Sequence, residues 1–380
     1  MCSNARHFPG LNPLRACAAI GVMLFHAMGY AGWDRVFLPG PLILVQGGWV
    51  GLDIFFVISG FVVGQSALTG IENDGTAFRA KFVRHRLARI VPLYLLTGLV
   101  CLLAVDTAPV LGDDRILQVF SHLAFIHNFW RSTLISINPP SWSLAVEIQL
   151  YMILLLVTPW LVRQSALRVA GMAVAVALTF RTCAYFAVAM AGSNDPAIFL
   201  HAVYQTPGML DSFGLGVAAT IAVRRGSLER LGRTACIALI VVGLTGLLCT
   251  SPTITRQVID GSIWQYPFYA ITMRTWIASA ALALVLGCAL LPFRSDTRFG
   301  RLLDHAGDLS YGVYLWHFCV LATLSKVTSL SGWSLAGAVF VTTFAVAEVA
   351  WRLLERPVLR YAHKFDRISV PAPATVPASR

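Results

Sequence analysis

Charged residues are scarce in this sequence. Only 12% of its 380 residues are Asp, Glu, Lys or Arg, against 57% that are hydrophobic, which excludes an ordinary soluble domain with about 25% charge. Acid is scarcer than base, with 18 Asp and Glu to 29 Lys and Arg, for a net charge of +11. On a polar chain that excess would suggest nucleic acid; on one this apolar it marks the loops of a membrane protein, and no nucleic-acid partner is expected. There is no GxxxxGK[ST] loop and no GxGxxG ahead of a helix, so nucleotide hydrolysis and Rossmann-type binding have no support. Eight cysteines are scattered singly without metal-like spacing, which makes them packing residues and leaves no metal to expect. No small-residue cleavage site follows a short apolar core at the N-terminus, so the first hydrophobic run is expected to be retained. The segment 361–380 ends in SVPAPATVPASR and is expected to be a largely disordered tail.

Long apolar runs are abundant. A span needs about 20 mostly apolar residues, and such runs occur near residues 11–30, 43–66, 89–109, 141–162, 165–191, 203–223, 234–251, 273–292, 308–327 and 333–354. They predict an all-α polytopic membrane bundle of about ten transmembrane helices, in a membrane domain at 1–360. RILQVFSHLAFIHNFW, at 115–130, is shorter and more polar, which suits one re-entrant or interfacial segment. Arg79, Lys81, Arg84, Arg86 and Arg89 follow the second run, and Arg224, Arg225, Arg230 and Arg233 flank Glu229 in the loop at 224–233. The positive-inside rule makes both loops cytoplasmic. The alternate connections carry Asp34 with Arg35, then Asp106, Asp113 and Asp114 with Arg115 and Arg131, then Asp195, then Arg256 with Asp260, and face outward. Ten spans satisfy these signs and place both termini, and the tail, in the cytoplasm.

Several runs hold ionisable residues, each costing about 3 kcal/mol to insert unless it faces the bundle interior. LNPLRACAAIGVMLFHAMGY contains Arg15 and His26, whose eleven-residue spacing is three turns plus about 20°, so both lie on one helix face about 16 Å apart along the axis. Asp53, Glu147, Arg181, Asp211, His317 and Glu348 lie at comparable depth in other runs. Counted from the outer ends at about 1.5 Å per residue, Glu147 lies about 9 Å deep and His26 about 6 Å. A carboxylate at that level would fix the imidazole's tautomer and raise its basicity, as a general base for a hydroxyl requires. Asp53 is the other possible partner. Structural roles stand beside these: Arg15 could snorkel or pair with Asp53, His317 could bridge helices, and Arg181, Asp211 and Glu348 read as structural pairs. Arg86 and Arg89, three apart, are neighbours on one helix face. They read either as a basic anchor on anionic lipid or as a patch, with Arg84, for the pyrophosphate and 3′-phosphate of coenzyme A.

In order, LNPLRACAAIGVMLFHA, GWVGLDIFFVISGF, VRHRLARIVPLY, PSWSLAVEIQLY, LSYGVYLWHF and LLERPV resemble the integral-membrane acyltransferases of acyltransferase family 3. These O-acylate bacterial surface polysaccharides, lipopolysaccharides and some secondary metabolites. The family pattern of Arg, ten residues, then His falls on Arg15 and His26; that of Arg, two residues, then Arg falls on Arg86 and Arg89. The resemblance implies catalysis by the first pair and help to the acyl donor from the second. Asn12 and Pro13 stand where the family commonly has Asp-Gly. Some members add an extracytoplasmic hydrolase-like domain, which is not expected within these 380 residues. The expectation is transfer of an acyl group, without a metal, from acyl-CoA, in the first instance acetyl-CoA, to a carbohydrate hydroxyl in a bacterial cytoplasmic (inner) membrane. His26, Arg15, Glu147 and Asp53 would serve catalysis, Arg84, Arg86 and Arg89 the donor, and His317 an accessory role; membrane lipids and polysaccharide-assembly proteins are the expected neighbours. The competing reading is a proton-coupled transporter or flippase, against which stands the absence of an evident inverted repeat or pair of interrupted helices.

Overall fold

A computed structural model describes residues 8–30, 43–193, 195–228, 231–293 and 296–369. Among these residues all regular elements are helical. The main ones are α1 (Leu11–Tyr30), α2 (Gly51–Asp74), α3 (Phe78–Ala104), α4 (Arg115–Leu123), α5 (Trp142–Leu161), α6 (Ala166–Met190) and α7 (Pro196–Val203). They are followed by α8 (Leu210–Arg224), α9 (Arg233–Ile259), α10 (Pro267–Leu290), α11 (Arg298–Val327), α12 (Gly332–Ala350) and α13 (Arg356–Ser369). Helices are what apolar runs must form where no water can satisfy the backbone. Their ends follow local chemistry: Gly75, at φ +54°, stops α2 in a conformation that only glycine adopts freely. Ser165, Asp195 and Thr297 cap α6, α7 and α11 by accepting from the N–H groups of Arg168, Ala197 and Gly300 at 3.3, 2.8 and 2.9 Å.

Each of the ten apolar runs overlaps one of α1, α2, α3, α5, α6, α8, α9, α10, α11 and α12. Among the described residues seven helical stretches are long and apolar enough to cross a membrane, or eight if α7 and the helix from Pro207 to Arg224, bent by 77°, form one broken span. One of the seven, Gly48–Ala104, contains both α2 and α3. The chain is thus a multi-pass membrane protein. Helix α11 is not among the seven, in keeping with the polar side chains that it turns inward. The 115–130 run forms the short α4 and a 3₁₀ turn, His127–Phe129. Helix α13 continues to Ser369, so 361–369, expected in a disordered tail, are helical; Leu359, Ala362 and His363 give the helix an inward face. The Asp34–Arg35 connection, Glu229, Arg230 and residues 370–380 lie outside the described residues.

Helices α1 and α11 run side by side in the same direction, joined by Asn12 to Asp304 at 3.3 Å near one end and His26 to His317 at 3.1 Å near the other. Helices α2 and α8 touch backbone to backbone. A Cβ at Gly60 would lie 2.0 Å from the Phe213 carbonyl oxygen, and one at Gly216 would lie 2.2 Å from that of Val57.

Around this crossing is a buried polar clasp. Arg274 of α10 pairs with Asp53 of α2 at 2.5 Å, and Ser212 donates to the same carboxylate at 3.2 Å. Arg181 of α6 pairs with Asp211 of α8 at 2.7 Å, and Thr275 donates to Asp211 at 2.7 Å. Arg181 also donates to the Gly208 carbonyl in the break between α7 and α8, which satisfies an oxygen freed by the bend.

Candidate active site

A cavity of about 390 Å³ opens among α1, α2, α3, α5 and α11, with the turn at Trp351 and α13 on one side. Its wall is built from helix stripes. Ser143, Glu147 and Tyr151 recur every four residues on α5, and Asp308, Tyr311 and Tyr314 every three on α11, spacings that hold side chains on one face. Arg15 enters from α1, and Arg86 and Arg89 from α3. Arg84 is two residues from Arg86, projects from another side of the helix and is not on this wall.

The three wall arginines differ in how they are held. Arg89 pairs with buried Glu355 at 3.2 Å and lies over the rings of Tyr311 and Trp351. Arg86 lies 5.7 and 5.9 Å from the ring centres of Phe82 and Tyr151, and its buried Nε has no hydrogen-bond partner. Among the described residues Arg15 has neither a hydrogen bond nor an ion pair. Two guanidiniums without hydrogen bonds among the described residues, in a half-apolar cavity, call for a ligand that accepts hydrogen bonds or carries negative charge.

At the far end of the cavity Tyr314 donates to the Pro140 carbonyl at 2.9 Å and meets the Ser143 hydroxyl at 2.8 Å. One turn further along α11, His317 packs 5.9 Å from the Tyr314 ring and reaches His26. His26 Nδ1 lies 3.0 Å from the Val22 carbonyl and 3.1 Å from His317 Nε2, while His317 Nδ1 lies 3.3 Å from the Val313 carbonyl. Both carbonyls can only accept, which assigns a proton to Nδ1 of each ring. His317 Nε2 then shares the His26 Nδ1 proton, and His26 Nε2 is left as a lone pair with no hydrogen-bond partner among the described residues. An imidazole held in that tautomer can take a proton. His26 does not itself line the cavity; Tyr314 and His317 stand between.

The geometry brings some of the expected residues together and separates others. Arg15, Arg86, Arg89 and Glu147 share the cavity, and His26 meets His317. Glu147 does not orient His26: it accepts from Ser59 at 2.6 Å and from Tyr151 at 2.5 Å, because α11, not α5, supplies the neighbour of the imidazole. Asp53 reaches neither His26 nor Arg15; it is fully buried on Arg274 and Ser212. Arg181 and Asp211 are a structural pair, whereas Glu348 pairs with His305 and Arg352. Sequence reasoning missed Arg274, Ser59, Tyr151 and Tyr314. Arg274 was detectable as a cation at the start of an apolar run, and Tyr151 lies four residues after Glu147.

A basic-walled cavity leading to a histidine pair inside a membrane bundle defines a membrane protein built around an interior polar site. The chain belongs to the acyltransferase domain family, whose model, Acyl_transf_3, matches residues 8–352. It is 27% identical over 93% of its length to YrhL of Bacillus subtilis, provisionally named a peptidoglycan O-acetyltransferase, covering 55% of that protein. It is 23% identical over 94% of its length to the O-acetyltransferase OatA of Staphylococcus aureus, covering 58% of it. It is 28% identical over 93% of its length to BcsY of Komagataeibacter xylinus, provisionally named a membrane-bound transacylase, covering 83% of it. The chain thus spans somewhat over half the length of the first two relatives. No solved structure matches it.

Proposed function

We propose that this protein transfers an acetyl group from acetyl-CoA to a hydroxyl of a carbohydrate, as in a surface polysaccharide or its lipid-linked precursor. The observation that carries the reading is the cavity in which the guanidiniums of Arg15 and Arg86 have no hydrogen bond among the described residues and whose far end abuts Tyr314 and His317. The donor's phosphates sit at Arg86 and Arg89, and its pantetheine arm runs past Arg15 toward Tyr314. His26 Nε2 takes the proton of the acceptor hydroxyl, whose oxygen attacks the thioester carbonyl; the C–S bond breaks and CoA leaves as a thiolate that is then protonated. His317 positions His26. Glu147 holds Ser59 and Tyr151 in the donor wall.

The bundle is read as ten spans at 1–360, with both termini and the segment 361–380 on the cytoplasmic side of a bacterial inner membrane. That topology puts Arg86 and Arg89 where acetyl-CoA is available. The names of the relatives support a carbohydrate acceptor, with membrane lipids and polysaccharide-assembly proteins as neighbours. Purified protein in lipid nanodiscs is expected to release CoA from acetyl-CoA and label a glycan acceptor. Movement of glycan or metabolite across the bilayer without CoA release would replace this reading with transport.

A further inference from the structure

A second cavity, of about 300 Å³, lies between the two arms of the α2–α3 hairpin, at the end closed by the turn Gly75–Ala77. Two facing helix stripes build it. Val62, Ser66, Thr69 and Asn73 recur every three or four residues on α2, and Phe78, Phe82 and Arg86 every four on α3, so each set projects from one face. The volume reaches the range of small-molecule sites, about 300–1,000 Å³, and is far larger than the voids of ordinary close packing.

This cavity adjoins the donor cavity. Val62, His85 and Arg86 line both. Arg86 stands at the join: its guanidinium lies 5.7 Å from the ring centre of Phe82, which lines the hairpin cavity, and 5.9 Å from that of Tyr151, which lines the donor cavity. The hairpin lining is amphipathic. Phe78 and Phe82, edge to face at 6.3 Å and 73°, make an aromatic wall, while Asn73, Asp74 and Lys81 are exposed. Lys81 is loosely held: its Nζ lies 3.8 Å from Asp74 Oδ2, with 51% of its side chain exposed. An ion pair so long and so wet is weak, which leaves the ammonium able to turn to a ligand. Lys81, rather than Arg84, stands beside Arg86 on this wall.

A CoA thioester is a linear molecule, running from acyl group through pantetheine and pyrophosphate to a ribose that bears adenine and a 3′-phosphate. With its pyrophosphate at Arg86 and its pantetheine arm in the donor cavity, the nucleotide end falls on the other side of Arg86. Lys81 lies five residues from Arg86, about 7.5 Å along the helix axis, a separation suited to phosphates on either side of a ribose. Asn73 and Asp74 offer an amide and a carboxylate to a base edge that carries an amino donor beside a ring-nitrogen acceptor, as adenine does. We propose that the hairpin cavity binds the adenosine 3′-phosphate end of the donor, with Lys81 on the 3′-phosphate. This inference rests on the acetyl-CoA reading above and adds a specificity to it: a donor that ends at phosphopantetheine leaves the hairpin cavity empty.

Titration calorimetry on the full chain in nanodiscs of zwitterionic lipid tests it, with acetyl-CoA, its 3′-dephospho analogue and S-acetyl-4′-phosphopantetheine as probes. On the unaltered protein the 3′-dephospho analogue should bind about tenfold more weakly than acetyl-CoA, the order expected for one charge-assisted hydrogen bond, and the truncated donor more weakly still. Lys81→Ala should weaken acetyl-CoA about tenfold and abolish its advantage over the 3′-dephospho analogue. Ser66→Trp, at an exposed position on the α2 stripe, should fill the cavity and remove the advantage of acetyl-CoA over the truncated donor. Equal binding of acetyl-CoA and the truncated donor by the unaltered protein overturns the subsite and leaves the transfer reading standing, as does an undiminished advantage in both variants. Binding of none of the three probes overturns the acetyl-CoA reading and the subsite with it.

Discussion

His26 and His317, 291 residues apart in sequence, meet at 3.1 Å where α1 and α11 run together. Together with the Val22 carbonyl, the contact holds the proton of His26 on Nδ1 and leaves Nε2 as the basic atom. Removing the partner while keeping a flat ring, as in His317→Phe, should lower kcat for acetyl transfer at least tenfold and leave the donor KM near its original value, because the His26 ring then keeps only the Val22 carbonyl to orient it. Steady-state kinetics on the purified variant checks this; an unchanged kcat contradicts the positioning role.

The cavity arginines should separate by their partners. Arg86 has no carboxylate partner among the described residues, so Arg86→Ala should raise the donor KM about tenfold with little change in melting temperature. Arg89 neutralises buried Glu355, so Arg89→Ala should also destabilise the fold by about 1–3 kcal/mol, with part of the loss recovered by adding Glu355→Gln. Thermal unfolding of the single and double variants, beside donor titrations, distinguishes the two.

Asp53 is expected to act on stability. Its carboxylate is buried against Arg274, and Asp53→Ala strands that guanidinium, at a cost of about 3–5 kcal/mol. Paired replacement by Asp53→Leu and Arg274→Met should be milder than either single change. If Asp53→Ala instead melts normally and loses only turnover, the clasp is not structural.

The α2–α8 crossing tolerates no side chain. Gly216→Ala sets a Cβ against the Val57 carbonyl and should cost about 1–3 kcal/mol through overpacking. Melting at the original temperature would mean that the helices can separate freely.

Much of the bundle and part of the site were legible in the sequence, for identifiable reasons. Apolar run length fixed where helices form, and the eleven-residue spacing put Arg15 and His26 on one face. Partner choice was not legible. Depth alone favoured Glu147 as the neighbour of His26, yet lateral packing sets α11 against α1, and no local periodicity encodes which helices become neighbours. Helix α11 itself hid its role, since Ser310, Tyr311, Tyr314 and His317 dilute its apolar signal, the first three furnishing the cavity wall and the last meeting His26. The clasp was half visible: Asp53 demanded a cation, and Arg274, at the edge of a distant run, supplied it.

The central claim is that His26 Nε2 removes the acceptor's proton. The most direct measurement compares acceptor-dependent CoA release by wild type and His26→Ala in nanodiscs, with acetyl-CoA binding measured on the same samples. The account predicts unchanged donor binding and a rate lower by about 10²–10⁴; full acceptor-dependent turnover in His26→Ala would contradict it.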